Sequence, residues 1–277
     1  MTKWTAGAVG ALAVVGLALG LLLAGAVKAR SAAARLAGQG QSDRKPLEMH
    51  PAATDVTDQP AEPKDARARS ARRAKSRRYD KKTERARRLT ELPDGGGVVR
   101  GGESPELPPL PVAQSDAVII GTIVKAQSHL TESETGIYTE FAVRVEEVFK
   151  NDGLAGATPG GTVEVDREAG AMRLRDGRVV RYETGGLGGL PHAGRRYVLF
   201  LKRVNDGRDV SIHTAYELRQ GRVTPLDGVT RVFDPTTGQI TRKAPFENVE
   251  EATFLELLRA AVANPDRVLM PKGGASR

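Results

Sequence analysis

The chain has 277 residues, 42 Lys and Arg against 34 Asp and Glu for a net charge of +8, and no cysteine. The lack of thiols excludes disulfide staples, thiolate metal sites and thiol nucleophiles. The length allows one or two domains, yet charge and apolar character are so unevenly placed that only part of the chain reads as a compact body.

Ala6 to Val27 are 22 consecutive uncharged residues; as a helix they would reach about 33 Å, enough to cross a hydrocarbon layer of about 30 Å. Residues 1–29 therefore read as a transmembrane anchor or a signal peptide. Lys3 supplies a basic start and Ala24-Gly25-Ala26 a small-x-small site for cleavage after Ala26. The run exceeds the usual signal core, and Lys28 and Arg30 follow at once, which favours a retained anchor. Lys28, Arg30, Arg35, Arg44 and Lys45 outnumber Lys3 and pull the following segment toward the cytoplasm, although long domains translocate against flanking charge. The expectation is export. Gly16, Gly20 and Ala24 form a small-residue stripe that a dimer contact would use but that so Gly- and Ala-rich a run also produces by chance.

Residues 30–112 are rich in Ala, Arg, Pro and Gly, with Tyr79 the one aromatic residue of the stretch, and read as a disordered basic linker. Lys64 to Arg88 hold 13 Lys and Arg against Asp65, Asp80 and Glu84, so the basicity lies here and the remainder is close to neutral. The residues expected to touch polyanions are Arg72, Arg73, Lys75, Arg77, Arg78, Lys81, Lys82, Arg85, Arg87 and Arg88. On an envelope protein the partners are anionic lipid headgroups or acidic surface polymers. Nucleic acid would require a cytoplasmic orientation. The plainer alternative is a self-repelling spacer.

From residue 113 to 265 the pattern becomes short β-rich runs between Gly, Asp and Asn turns, as in an all-β barrel or sandwich. Ala117–Ala126 is apolar with Gly121 marking a bend, and Tyr138–Lys150 alternates, then slips at Glu146-Glu147, which predicts a β-bulge. Thr162–Arg167 turns Val163 and Val165 inward; Asp176-Gly177 predicts a type I′ hairpin between Met172–Arg175 and Arg178–Glu183. Arg196–Val204 is apolar on both faces and so central. Turns follow at Asp206-Gly207, Gln220-Gly221 and Asp234–Gly238. A helix is predicted over 248–263, with Asn248 and Glu251 as a capping box, Phe254, Leu257, Leu258, Ala261 and Val262 on one face, and Asn264-Pro265 as the stop. Residues 266–277 read as a disordered tail.

The runs Ser115–Gly121, Phe141–Lys150, Gly161–Val165 and Gly194–Leu201 resemble the strand pattern of netrin-type modules, the OB-like barrels shared with tissue inhibitors of metalloproteinases, over about residues 115–201. The resemblance implies an OB-like barrel, so the fold is expected to be mainly β, a small closed antiparallel barrel, with the helix predicted over 248–263 as its C-terminal element. It carries no protease inhibition here, because those inhibitors reach the protease zinc through an N-terminal cysteine.

Gly185-Gly186-Leu187-Gly188-Gly189 followed by His192 reads as a mobile rim loop; Gly185, Gly186, Gly188, Gly189 and His192 are the candidate binding loop. It lacks the lysine and following helix of a phosphate-binding loop. His129, His192 and His213 have no short ligand spacing, and no metal or cofactor is expected. Asp166 and Glu168 share a strand face that suits carboxylate chemistry, or simply faces solvent. No nucleophile-elbow or zinc-protease motif is present. The combined expectation is a non-catalytic, membrane-tethered extracytoplasmic module for a protein or envelope ligand, membrane-held through residues 6–27, or secreted if cleaved. An envelope hydrolase or metal-assisted enzyme with dispersed residues, and a cytoplasm-facing protein whose linker binds polyanions, are the alternatives.

Overall fold

The structure, a computed structural model, describes residues 55–80, 87–100, 107–184, 189–204, 207–227, 230–233, 240–243 and 246–265. These belong to one compact unit, Pro51–Arg277. The uncharged run Ala6–Val27 and the tail 266–277 lie outside the described residues. Among the described residues, no helix is long and apolar enough to cross a membrane.

The fold is mainly β. In chain order it comprises β1 (Val56–Asp58), α1 (Ala66–Tyr79), a 3-10 turn (Leu89–Glu91), β2 (Gly97–Arg100), β3 (Ala117–Leu130), β4 (Ile137–Asn151), β5 (Thr162–Glu168), β6 (Gly170–Arg173), β7 (Val179–Thr184), β8 (Arg196–Val204), β9 (Asp209–Arg219), β10 (Arg222–Pro225), β11 (Thr230–Phe233), β12 (Ile240–Lys243) and α2 (Glu251–Ala263). Five strands make a partly closed ring. β3 pairs antiparallel with β4 and β8, β4 with β5, and β8 with β9. The circuit closes where β5 meets β9 in parallel at a single pair, Asp166 with Ser211. This β5–β9 seam is the thinnest join of the ring.

Strand alternation divides the apolar residues between two cores. Tyr197, Leu199 and Leu201 of β8 point into the ring with Ile119, Ile123, Phe141, Val143 and Val165. Val198 and Phe200 point outward and pack, with Val118 and Ile120, against Phe254, Leu258 and Ala261 of α2. All five β8 residues from Tyr197 to Leu201 are buried, as expected of a strand covered on both faces. The β3–β4 register skips Glu146, which is the bulge that the sequence predicts. On β3 the same shift falls at Gly121, where an added Cβ would lie 2.5 Å from Val143 Cγ1. Only glycine lets β3 bend this close to β4.

One turn assignment changes. Asp176-Gly177 is not a type I′ turn: Gly177 takes φ 88° and Asp176 does not take a positive φ. Leu174 N–H donates to Arg178 O and Gly177 N–H to Leu174 O, a longer turn closed by one left-handed glycine. The two-residue type I′ geometry appears instead at Gln220-Gly221, with φ 52° and 69°, between β9 and β10, which pair from Arg219 with Arg222. The capping box is also absent. Asn248 takes φ 60°, the helix starts at Glu251 behind Glu250, and no side chain caps it. Glu251 is drawn away by Arg196, whose Nη1 donates to it at 2.5 Å. Asn264 ends the helix as predicted. The Asp234–Gly238 turn lies outside the described residues, between β11 and β12, which pair antiparallel.

The largest correction concerns residues 30–112, expected to be a disordered linker. In their described part, β1 adds parallel to β6 and β2 parallel to β7, so the segment flanks the β6–β7 hairpin on both edges. Leu89 is fully buried against Ile137, Met172, Val180 and Tyr182. Between these anchors runs α1. Its high Ala and Arg content favours helix, and the Asp65 side chain caps it by accepting from Ala68 N–H at 2.6 Å. Acidic groups on the ring take up the charge that composition alone suggested would keep the segment in solvent.

Candidate ligand site at the seam of the strand ring

Three ring strands place polar residues in one row on their outer face. Phe141 and Val165 are cross-strand partners inside the ring, so their neighbours Glu140 and Asp166, themselves partners, point outward. Asp166 is opposite Ser211 of β9, and Asp209 lies two residues before Ser211 on the same face. α1 covers this row. Asp166, expected on a solvent-facing strand, is therefore 1% exposed. Its neighbour Glu168 is covered as well, with Oε1 accepting from Tyr182 Oη at 2.7 Å.

Asp166 Oδ1 collects three donors: Tyr79 Oη at 2.6 Å, Ser211 Oγ at 2.7 Å, and Arg78 Nη2. Arg78 Nη1 reaches Asp209 at 3.4 Å, and Lys75 Nζ reaches Glu140 at 2.8 Å. The Tyr79 ring stacks on Tyr138 with centroids 5.0 Å apart, and Tyr138 on His129 at 5.2 Å. At the end of the helix Asp80 Oδ1 accepts from Ser133 N–H and Oγ–H, joining α1 to the β3–β4 loop. Arg78, Tyr79 and Ser211 thus tie β5, β9 and α1 together at the point where the ring has one backbone pair.

The electrostatics favour this arrangement. Burial and then the charge of Asp166 push the Tyr79 phenol up, so it remains a donor. Burial opposes ionisation of Glu140, but the closeness of His129 and the hydrogen bond from Lys75 outweigh it and bring the carboxyl down to about 2. Burial likewise works against the Lys75 ammonium, and Glu140 more than restores it. Some buried polar atoms nevertheless lack hydrogen-bond partners, among them Asp166 Oδ2, Ser76 Oγ, Tyr138 Oη and both ring nitrogens of His129. His129 Nε2 lies 3.1 Å from Glu140 Oε2 but out of hydrogen-bond alignment. Beside the row, Gln59, Glu62, Arg72, His129 and Arg175 line a cavity of about 170 Å³.

Of the expected polyanion contacts, Lys75 and Arg78 serve this row, Arg77 pairs with Glu132 at 2.8 Å, and Arg73 with Glu62 at 3.4 Å. Arg72 donates to Ala61 O. Arg88 O accepts from Glu91 N–H, and Arg87 is exposed. Lys81, Lys82 and Arg85 lie outside the described residues. The polyanion that α1 meets in this structure is the chain's own set of carboxylates.

The described residues of the candidate loop, Gly189 and His192, do not join this site. Gly185, Gly186 and Gly188 lie outside the described residues, and Gly189 N–H donates to Leu226 O at 3.3 Å. His192 is buried, with Nδ1 3.1 Å from Asp55 and its backbone N–H donating to Tyr197 Oη. His213 is half-buried; burial, then Lys202 and Arg167, hold its pKa below 6.5. The three histidines keep separate company, and among the described residues no three His, Cys, Asp or Glu side chains are placed to hold a metal ion. Sequence reasoning missed Tyr79, Tyr138, Glu140, Asp209 and Ser211. The available signal was Tyr79, an isolated aromatic residue in a polar stretch. No protein-family model matches the chain, and no curated protein or solved structure matches it.

Proposed function

We propose that this chain is a non-catalytic interaction module of the cell envelope, membrane-held through residues 6–27 and built on an OB-like barrel of the netrin type. The barrel reading is supported by the order β3-β4-β5-β9-β8 returning to β3, with the one parallel contact between the third and last strands of the ring. Binding is the function that the seam suggests: carboxylates on three strands form a polar recognition surface, and a basic segment of the chain already lies on it. That convergence on Asp166 carries the proposal. Arg67 and Arg87, exposed on the basic segment, are the side chains for anionic lipid headgroups or acidic envelope polymers.

Reporter fusions after Arg30 and after Arg277 test the placement. Extracytoplasmic activity of the Arg277 fusion is the expected result, and cytoplasmic activity overturns it. Sedimentation with anionic and with neutral vesicles tests the surface contact, which Arg67→Gln with Arg87→Gln should weaken severalfold at low salt. Equal binding to both vesicle types would remove the electrostatic part.

A further inference from the structure

α1 is an incomplete cover for the seam. It arrives with Lys75, Arg78 and Tyr79, and its buried residues are Ser76 and Tyr79. Asp166 Oδ2 and Ser76 Oγ are both buried in this contact with no hydrogen bond. Lys75 Nζ stops 3.9 Å from Oδ2 because Glu140 holds it at 2.8 Å. A helix held by an apolar stripe has no equal competitor among polar peptides. One held by ion pairs above an unspent buried acceptor exchanges with a segment of the same chemistry.

We propose that the row Glu140, Asp166 and Asp209 is a binding site for a basic peptide helix presenting Lys and Arg three residues apart and then Tyr, with α1 as its resident in cis. This rests on the reading of the chain as an interaction module and names the ligand class. Guanidinium and phenol meet at Asp166 Oδ1, ammonium meets Glu140, and the Tyr ring extends the Tyr138–His129 stack. Every copy of the chain carries such a segment, so a second copy and a free basic peptide offer the same chemistry.

The receptor for the test is the full chain with Lys75→Glu and Arg78→Glu, whose own α1 the carboxylates repel. It is titrated with a fluorescent peptide of residues 64–80 and, separately, with a full chain that keeps α1 but carries Glu140→Gln and Asp166→Asn. Circular dichroism establishes that each chain is folded. The peptide should give a saturable anisotropy change that weakens at least about tenfold between about 50 and about 300 mM NaCl and disappears when Asp166→Asn is added to the receptor. Pairing of the two chains in native mass spectrometry assigns the second copy as the source; peptide binding without pairing assigns a free basic peptide. A peptide that does not saturate, or that binds equally to the Asp166→Asn receptor, overturns the site. If the charge-reversed receptor does not fold, excess peptide is added to the unaltered chain. Faster hydrogen exchange in residues 66–79 with β8 unchanged supports the site, and unchanged exchange overturns it. These readouts are independent of the topology fusions, so either proposal can fail alone.

Discussion

Asp166 and Glu168 lie two apart on β5, and alternation puts both on the face opposite Val163 and Val165. That much follows from the period of a strand. The burial of Asp166 does not, since it depends on a helix that begins 100 residues earlier in the chain. With three donors on one oxygen, replacement by Asn should cost about 3 kcal/mol, read as a lower denaturation midpoint with an unchanged slope; a shift near zero would mean that α1 does not hold the seam. Gly121 is a second case. Its place in an apolar run marked a bend, and the reason is the backbone of Arg144, whose carbonyl oxygen would lie 2.8 Å from an added Cβ. Gly121→Ala should destabilise by about 1–3 kcal/mol, and a thermal melt that matches the unaltered protein would show that β4 can yield.

The two described helices were unequally visible. α2 carries Phe254, Leu258 and Ala261 at helical spacing, and this stripe lies where the pattern directs it, on the outward residues of β3 and β8. Truncating its anchor by Phe254→Ala should cost about 3–5 kcal/mol in a denaturant titration; a smaller loss would mean that Phe246 and Tyr216, which touch the same ring, close the gap. Its start was misplaced because Glu251 is committed to Arg196, a strand residue remote in sequence. α1 has no such stripe, so composition suggested a solvated spacer. Its partners are Glu140, Asp166 and Asp209, scattered over two separate strands and a strand start. Screening should therefore loosen α1 selectively: in about 1 M NaCl its amides should exchange with deuterium faster while those of β8 do not, and uniform protection at high salt would contradict an ion-held helix.

At the scale of the molecule, acid should act on the seam. The folded-state pKa of Glu140, about 2 against the usual 4.5, means that its ionised form favours folding above pH 4.5 and that this contribution is lost as pH falls toward 2. His213, held below 6.5, acts in the same direction, because the unfolded chain takes up the proton that the folded one resists. Asp227, pushed up by burial, opposes both. The melting temperature should thus fall between about pH 5 and pH 3, and Glu140→Gln should flatten that decline; a variant as acid-sensitive as the parent would locate the effect elsewhere. The sequence by itself determined the ring strands and their bulge, the doubly covered β8 and the apolar face of α2, because periodicity and turn chemistry are local. Only the tertiary structure decided that the basic segment folds back on the ring and that Asp166 is its anchor, because ion pairing across about 90 to 130 residues leaves no periodic trace in the chain.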